Sequence, residues 1–322
     1  MIRLAAFNWT HVVACLLVGV TTVLLSFGAL VTTYEAAMAV PDWPATYGHN
    51  MFLFPMAEWL NGPWDLFLEH GHRLLGALTG LITLGLAGVV WRSSTHAAVR
   101  WLVVAAVALV LVQGGLGGAR VLLDDKTVAK VHACTGPLFF AVAVAIAVLS
   151  RGRAPTASHE VATRVPVALL VAAYLQLVAG AQLRHLDASV EPATFHSLVG
   201  LHIVGAIAVT VLTVASAAVT ASTEGSPSAR LWSRGMLVLV GGQLLLGAGA
   251  WVANWGVPAD IIPASWQLSE PLRARSVWAA AVVTGHVVLG MLILGGAVVL
   301  AIESGGFGRR AAAAAAGRRA FA

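Results

Sequence analysis

Eight apolar stretches dominate this sequence, and each is about as long as the hydrocarbon core of a bilayer is thick. A helix needs about 20 apolar residues to cross that core. Backbone amides and carbonyls in lipid must be paired within the segment, so helices are the structure that such stretches can form. The sequence therefore predicts an all-α membrane protein with eight transmembrane helices. The stretches are residues 11–33, 66–90, 99–121, 129–149, 165–183, 195–219, 232–254 and 277–301.

The composition agrees with this prediction and excludes other classes. Of the 322 residues, 59% are hydrophobic and only 10% are charged, a balance that soluble domains do not have. The net charge of +5 comes from arginines at the ends of the apolar stretches, so we expect a lipid bilayer and no nucleic acid as partner. Cys15 and Cys134 both lie in apolar stretches, which argues against a cysteine-based metal site or a disulfide framework.

The distribution of lysine and arginine predicts the orientation. Most of the 19 such residues lie on the side of the stretches that holds both chain ends. Cytoplasmic loops carry the excess of positive charge, so both termini are predicted to be cytoplasmic in a multi-pass protein of a bacterial-type inner membrane.

A repeated spacing of glutamine and glycine predicts two related halves. The third, fifth and seventh stretches each carry Gln four residues before Gly, and the first stretch has Leu in place of Gln. Small residues let membrane helices approach closely, so helix packing is the simplest interpretation of these glycines. We predict two pseudo-symmetric four-helix bundles, residues 1–155 and 156–304, followed by a cytoplasmic tail, 305–322. The pairs are Leu24 and Gly28, Gln113 and Gly117, Gln176 and Gly180, and Gln243 and Gly247.

Each even-numbered helix carries one histidine in its outer half: His72, His132, His202 and His286. Histidine inside a membrane is costly unless it is paired or liganded. One imidazole from each of two facing helices suits axial ligation of a haem iron, whereas zinc takes three or four ligands. We therefore predict two haem sites, His72 with His132 and His202 with His286. For any single histidine, interhelical packing or hydrogen bonding is the alternative.

Other histidines leave the assignment on the sixth helix open. His185 and His196 precede His202, and either is an alternative ligand. We favour His202 because it lies deeper in its apolar stretch. His70 is expected to face solvent or lipid headgroups, away from His72.

The first histidine pair has charged neighbours. Glu69, His72 and Arg73 share one face of the second helix, whereas apolar residues occupy the corresponding positions around His202. This asymmetry suggests chemistry in the first half and a bound electron carrier in the second. Arg73 has two alternative partners, Glu69 or a haem propionate.

These features resemble the heme A synthase family, membrane enzymes that convert heme O to heme A for terminal oxidases. The resemblance rests on the motif Glu69-His-Gly-His-Arg73, on the run Ala39-Val-Pro-Asp-Trp-Pro44 in the first outer loop, and on one histidine per even helix. It extends over nearly the whole chain. Two features depart from the family: this outer loop lacks the cysteine pair of many relatives, and no arginine follows His202.

The resemblance implies an enzyme with two haem sites. His72 and His132 would surround the substrate, heme O, with Glu69 essential for the chemistry as a proton relay or as a stabiliser of positive charge. His202 and His286 would ligate a permanent heme b. Successive oxygenation of a haem methyl group would give an alcohol and then a hydrate that loses water to a formyl group. An unidentified donor would supply the electrons. The heme O synthase that makes the substrate is a candidate partner, and the sequence leaves open whether the protein forms a homo-oligomer.

Two alternatives use the same four histidines. A di-haem b-type membrane cytochrome would pass electrons to or from quinone without catalysing a reaction on haem. A haem carrier or assembly factor would bind haem without turnover. Neither alternative explains the charged group around Glu69.

Overall fold

A computed structural model describes residues 7–93, 95–151, 160–186, 189–222, 227–256 and 276–305. Within these residues, eight helices are long and apolar enough to cross a membrane, which confirms the predicted all-α membrane fold. A ninth, α2, has six residues. The predicted tail beyond residue 305 and most of the last outer loop lie outside the described residues. The helices are α1 (Trp9–Thr33), α2 (Met56–Asn61), α3 (Trp64–Arg92), α4 (Ala97–Leu123), α5 (Lys126–Leu149), α6 (Glu160–Arg184), α7 (Pro192–Ser222), α8 (Pro227–Trp255) and α9 (Val277–Glu303).

Polar side chains mark where several of these helices begin. The Asp125 carboxylate accepts hydrogen bonds from the first-turn amides of α5, and Asn8 and Ser276 accept in the same way at α1 and α9. The first amides of a helix have no partner within the helix, so such caps stabilise its start.

The spanning helices pack as two sets of four. In the first set, α1 contacts α3, α3 contacts α4, α4 contacts α5, and α5 returns to α1. The helices α6, α7, α8 and α9 make the same circuit, with α9 returning to α6. The two sets are neighbours, and the division of the chain into two pseudo-symmetric halves stays a prediction.

Helices α5 and α9 join the two sets and are the most buried spans. Phe140 of α5 packs with Val298 and Val299 of α9 in one apolar cluster. A Cβ on Gly295 would lie 3.0 Å from the Phe140 ring, so this glycine lets the ring approach the α9 backbone closely.

The loop between α1 and α2 folds back on itself. The carboxylate of Asp42 accepts hydrogen bonds from the amides of Tyr47 and Gly48 at 2.9 and 2.7 Å, and the Tyr47 hydroxyl donates to the Ala39 carbonyl. Burial favours the neutral acid, but backbone hydrogen bonds, including those of Gly48 and Tyr47, together with the Arg73 cation hold the pKa of Asp42 below its usual range. This loop, the first outer loop of the predicted orientation, therefore forms an ordered cap over the N-terminal end of α3.

Candidate functional site

Each of the four predicted histidines packs its ring against a glycine of the preceding spanning helix. A Cβ on any of these glycines would lie 3.0–3.4 Å from the histidine Cε1, so a side chain there would displace the ring. These are the glycines of the repeated spacing, and they support histidine rings as well as helix packing. We call each arrangement a histidine cradle. The four cradles are Gly28 with His72, Gly117 with His132, Gly180 with His202, and Gly247 with His286.

Hydrogen bonding at the cradles suits metal ligation. Nδ1 of His72 lies 3.2 Å from the carbonyl oxygen of Leu24. A proton donated from Nδ1 to that carbonyl leaves Nε2 with its lone pair, the form in which imidazole binds a metal. Nδ1 of His132, His202 and His286 is buried without a hydrogen-bond partner among the described residues. Glycine-backed imidazoles on neighbouring helices fit a haem iron, which they would ligate through Nε2.

In the second half, His202 and His286 face each other. Their ring centroids are 6.3 Å apart and their planes are inclined by 69°. By contrast, His196 is exposed and packs on its neighbour Phe195, and Nδ1 of His185 lies 2.9 Å from the carbonyl of Ala181 in its own helix. The structure thus brings His202, rather than either alternative, opposite His286.

Glutamines of the repeat contact the histidine-bearing helices. Nε2 of Gln113 donates to the backbone carbonyl of His132 at 3.2 Å, and Nε2 of Gln176 donates to that of His202 at 2.9 Å. Each pair of helices is therefore joined by a polar bond next to its cradle, as expected where polar side chains meet inside a membrane.

In the first half, Glu69 is fully buried beside the cradle of His72. Its Oε2 accepts a hydrogen bond from the Val40 amide at 2.9 Å, and its Oε1 accepts one from Nη2 of Arg73 at 2.9 Å. A second cation, Arg120, has Nη2 3.9 Å from the same Oε1. Of the two partners considered for Arg73, the structure shows Glu69.

Arg73 also ties the outer loop to α3. Nη1 donates to the carbonyls of Asp42 and Ala45 at 2.6 and 2.9 Å, and Nη2 donates to that of Val40 at 2.7 Å. Val40 and Asp42 belong to the loop run that the resemblance singled out, and Ala45 directly follows it. The side chain of Trp43, in the same run, lies on Gly118 of α4, where a Cβ would be 2.5 Å from the indole. The run therefore docks on α3 and α4 next to both cradles of the first half.

The prediction for His70 is wrong. His70 is only 2% exposed to solvent. Nδ1 lies 3.0 Å from the hydroxyl oxygen of Thr46, and the ring packs on Phe54 and Trp59 with centroids 5.1 and 5.4 Å away. The outer loop and α2 cover this face of α3, a contact that the periodicity of a single helix does not reveal.

Sequence reasoning missed Arg120 at this site. It lies in the last turn of α4, three residues after the cradle glycine Gly117. The charge of Arg120 interacts with both His72 and His132. The sequence could have indicated this position, because the spacing of three residues from Gly117 puts Arg120 and Gly117 on one face of the helix.

A second missed arginine, Arg184, connects the two halves. Its Nη2 donates to the Ala29 carbonyl of α1 at 2.5 Å and to the Thr33 hydroxyl at 2.7 Å. That hydroxyl is also 3.4 Å from the hydroxyl of Thr284, two residues before His286. The C-terminal end of α1 is thus held by a cation, which also suits the negative end of the helix dipole.

Replacing Arg73 by lysine should loosen the outer loop. Lysine keeps the charge but cannot hold the fork geometry that reaches three loop carbonyls and Glu69 together. We expect limited proteolysis within residues 34–55 to become at least about 10-fold faster, as for the loss of roughly 1.5–3 kcal/mol of charge-assisted hydrogen bonding. Arg92→Lys, at the exposed other end of the same helix, is the control and should leave the rate unchanged. Equal rates in both variants would show that Arg73 does not hold the loop.

The sequence matches a known protein family. Residues 9–195 match the family model COX15-CtaA, described as cytochrome oxidase assembly protein. The matched range contains Glu69, His72 and His132 and ends before His202.

Two proteins with similar sequences have names that refer to haem. A heme A synthase of Alkalihalophilus pseudofirmus is 28% identical over 186 residues, covering 55% of this chain and 60% of that protein. A protoheme IX farnesyltransferase of Halobacterium salinarum is 35% identical over 117 residues, covering 36% of this chain and 24% of that protein. The chain therefore matches less than two thirds of the length of either relative.

Proposed function

The chain belongs to the COX15-CtaA family of cytochrome oxidase assembly proteins, as its sequence predicted, and on that premise we propose that it is a heme A synthase. The reaction would oxidise a methyl group of heme O to a formyl group by successive oxygenation, and it would supply heme A to terminal oxidases. In this proposal residues 1–155 hold the substrate, and residues 156–304 hold a heme b between His202 and His286. Both termini are cytoplasmic, and both sites lie toward the outer side of the membrane.

The asymmetry between the two histidine pairs is the observation that carries this proposal. All four histidines have a glycine cradle, which is what binding alone requires. In the described part of the chain, the first pair also has the buried carboxylate of Glu69 with two arginines, whereas Val199 and Ile203 occupy the positions around His202 that correspond to Glu69 and Arg73. A protein that only carried electrons between two haems would have no use for this added group.

The chain's own residues then have distinct tasks. Bound haem supplies the oxidation chemistry, while the protein supplies binding, orientation and electrostatics. His72 and His132 would hold the substrate and fix its orientation. Both oxygens of Glu69 accept hydrogen bonds, from the Val40 amide and from Arg73, and both bonds favour the ionised carboxylate. This arrangement favours Glu69 as a stabiliser of positive charge developing on the substrate over Glu69 as a proton relay.

Co-expression with a heme O synthase tests the proposal. Haems extracted from the membranes and separated by chromatography should include heme A together with a hydroxylated heme O. Cells that carry His72→Ala should accumulate heme O instead. Unchanged heme O beside a protein that retains bound haem would contradict the enzyme and support the di-haem cytochrome that exchanges electrons with quinone.

A further inference from the structure

One arginine near the first histidine pair is not committed to a structural partner. We propose that Arg120 binds a propionate carboxylate of the haem substrate. The inference rests on the proposed function, since it assumes that the pocket of His72 and His132 takes a haem. It assigns to Arg120 the recognition of an anionic group that every unesterified haem carries.

The position of Arg120 directs its side chain toward the pocket. Gln113, Gly117 and Arg120 follow one another at spacings of four and three residues, so they share one face of α4. Gln113 bonds to the backbone of His132, and Gly117 backs its ring. The cation therefore lies on the face of α4 that forms the cradle, one turn nearer the outer end of the helix.

The balance of charge leaves Arg120 short of a partner. Glu69 is the carboxylate that Arg73 and Arg120 share, and its Oε1 is 2.9 Å from Arg73 but 3.9 Å from Arg120. Arg73 already uses both terminal nitrogens for hydrogen bonds. The nearby Asp42 directs its carboxylate to two loop amides.

Burial makes this shortage costly. The Arg120 side chain is 16% exposed, and a guanidinium has five N–H donors to satisfy. Across the described residues, its polar contact is the long one to Glu69. A largely buried cation with unused donors is stabilised by a further anion, and a carboxylate presents the matching planar geometry for a bidentate contact.

The other cradle helices offer no equivalent group in the described structure. Arg184 of α6 follows its cradle glycine at a similar spacing, but it is bound to the Ala29 carbonyl and the Thr33 hydroxyl. The residues three positions after the cradle glycines of α1 and α8 are Val31 and Ala250. The unused cation is therefore specific to the pocket that the proposed function assigns to the substrate.

Titration with two porphyrins tests this assignment. The purified full-length protein is titrated with iron protoporphyrin IX and with its dimethyl ester, which has no free carboxylates. Binding in the first pocket is the part of the absorbance change that disappears in the double variant with His72→Ala and His132→Ala. We expect Arg120→Gln to weaken binding of the diacid about 10- to 100-fold, the range for losing a hydrogen bond to a charged group. Binding of the diester should be equal in the native protein and in Arg120→Gln.

Two further variants keep the outcome interpretable. Arg100→Gln, at the exposed opposite end of α4, should bind both porphyrins as the native protein does. Arg120→Lys keeps the charge without the fork and should weaken binding of the diacid alone, by less than Arg120→Gln. An unchanged spectrum of the second haem site verifies folding in each variant.

The contrary outcomes separate the two proposals. Equal weakening of both porphyrins in Arg120→Gln, or no weakening of either, would overturn the role of Arg120 alone. Absence of histidine-dependent binding in the native protein would overturn the proposed substrate pocket, and the role of Arg120 with it.

Discussion

Replacing Glu69 by glutamine should lower heme A formation about 100-fold or more while both haem sites remain filled. Glutamine has nearly the same shape but only one acceptor oxygen, so it can accept the hydrogen bond of the Val40 amide or that of Arg73 but not both, and it carries no negative charge. The loss of a carboxylate that stabilises charge or moves a proton typically costs two or more orders of magnitude in rate. Chromatography of extracted haems measures the product, and the haem spectrum of the purified protein measures occupancy.

A control and a structural check accompany this variant. Glu58→Gln, on the exposed surface of α2, should leave heme A formation unchanged. The proteolysis pattern of the outer loop should stay native in Glu69→Gln, in contrast to Arg73→Lys, which separates loss of chemistry from loss of the cap. Native product levels in Glu69→Gln would remove the carboxylate from the mechanism.

Gly247→Leu should remove the low-spin haem spectrum of the second half as fully as His286→Ala does. The Cβ alone would lie 3.0 Å from Cε1 of His286, and the rest of a leucine side chain has no room beside the ring. Because the cradle helix cannot yield without disturbing the bundle, the ring must turn away and lose its position as a ligand. Absorption spectra of the reduced protein and a haem-to-protein ratio would show a loss of at least about 10-fold in occupancy, equivalent to ~1.4 kcal/mol.

The same helix provides the matched control. A Cβ on Gly241 has nothing within 4 Å, so Gly241→Leu adds an apolar side chain to the same helix without touching a histidine. We expect its spectrum to be native. An intact spectrum in Gly247→Leu would show that the cradle does not position His286, and the ligand role of that histidine would then depend on the His286→Ala variant alone.

The eight helices and the four histidines were accessible from sequence for a simple reason. A span is set by its own length and apolarity, and one histidine in each of four such spans stands out because polar groups are rare in lipid. The charged face of Glu69, His72 and Arg73 is also a property of one helix, since it depends only on spacing. These features require no knowledge of how helices meet.

Contacts between elements were not accessible in this way. The glycines of the repeat were interpreted as packing residues, because a spacing does not tell which side chain a glycine faces. His70 was placed at the surface, because the spacing of residues along one helix does not show that the preceding loop folds back and covers it. Arg120 was counted only as one of many arginines, and its position beside Glu69 depends on how α3 and α4 pack.

The sequence by itself determined that the chain is a membrane protein of eight helices with one histidine in each even span, because hydropathy and helical period act within a segment. The tertiary structure alone decided that each histidine rests on a glycine, that Arg73 also binds the outer loop, and that Arg120 is left beside the first pair. Those outcomes depend on the register and rotation of one helix against another. Many weak packing contacts fix that register together, and no single segment encodes it.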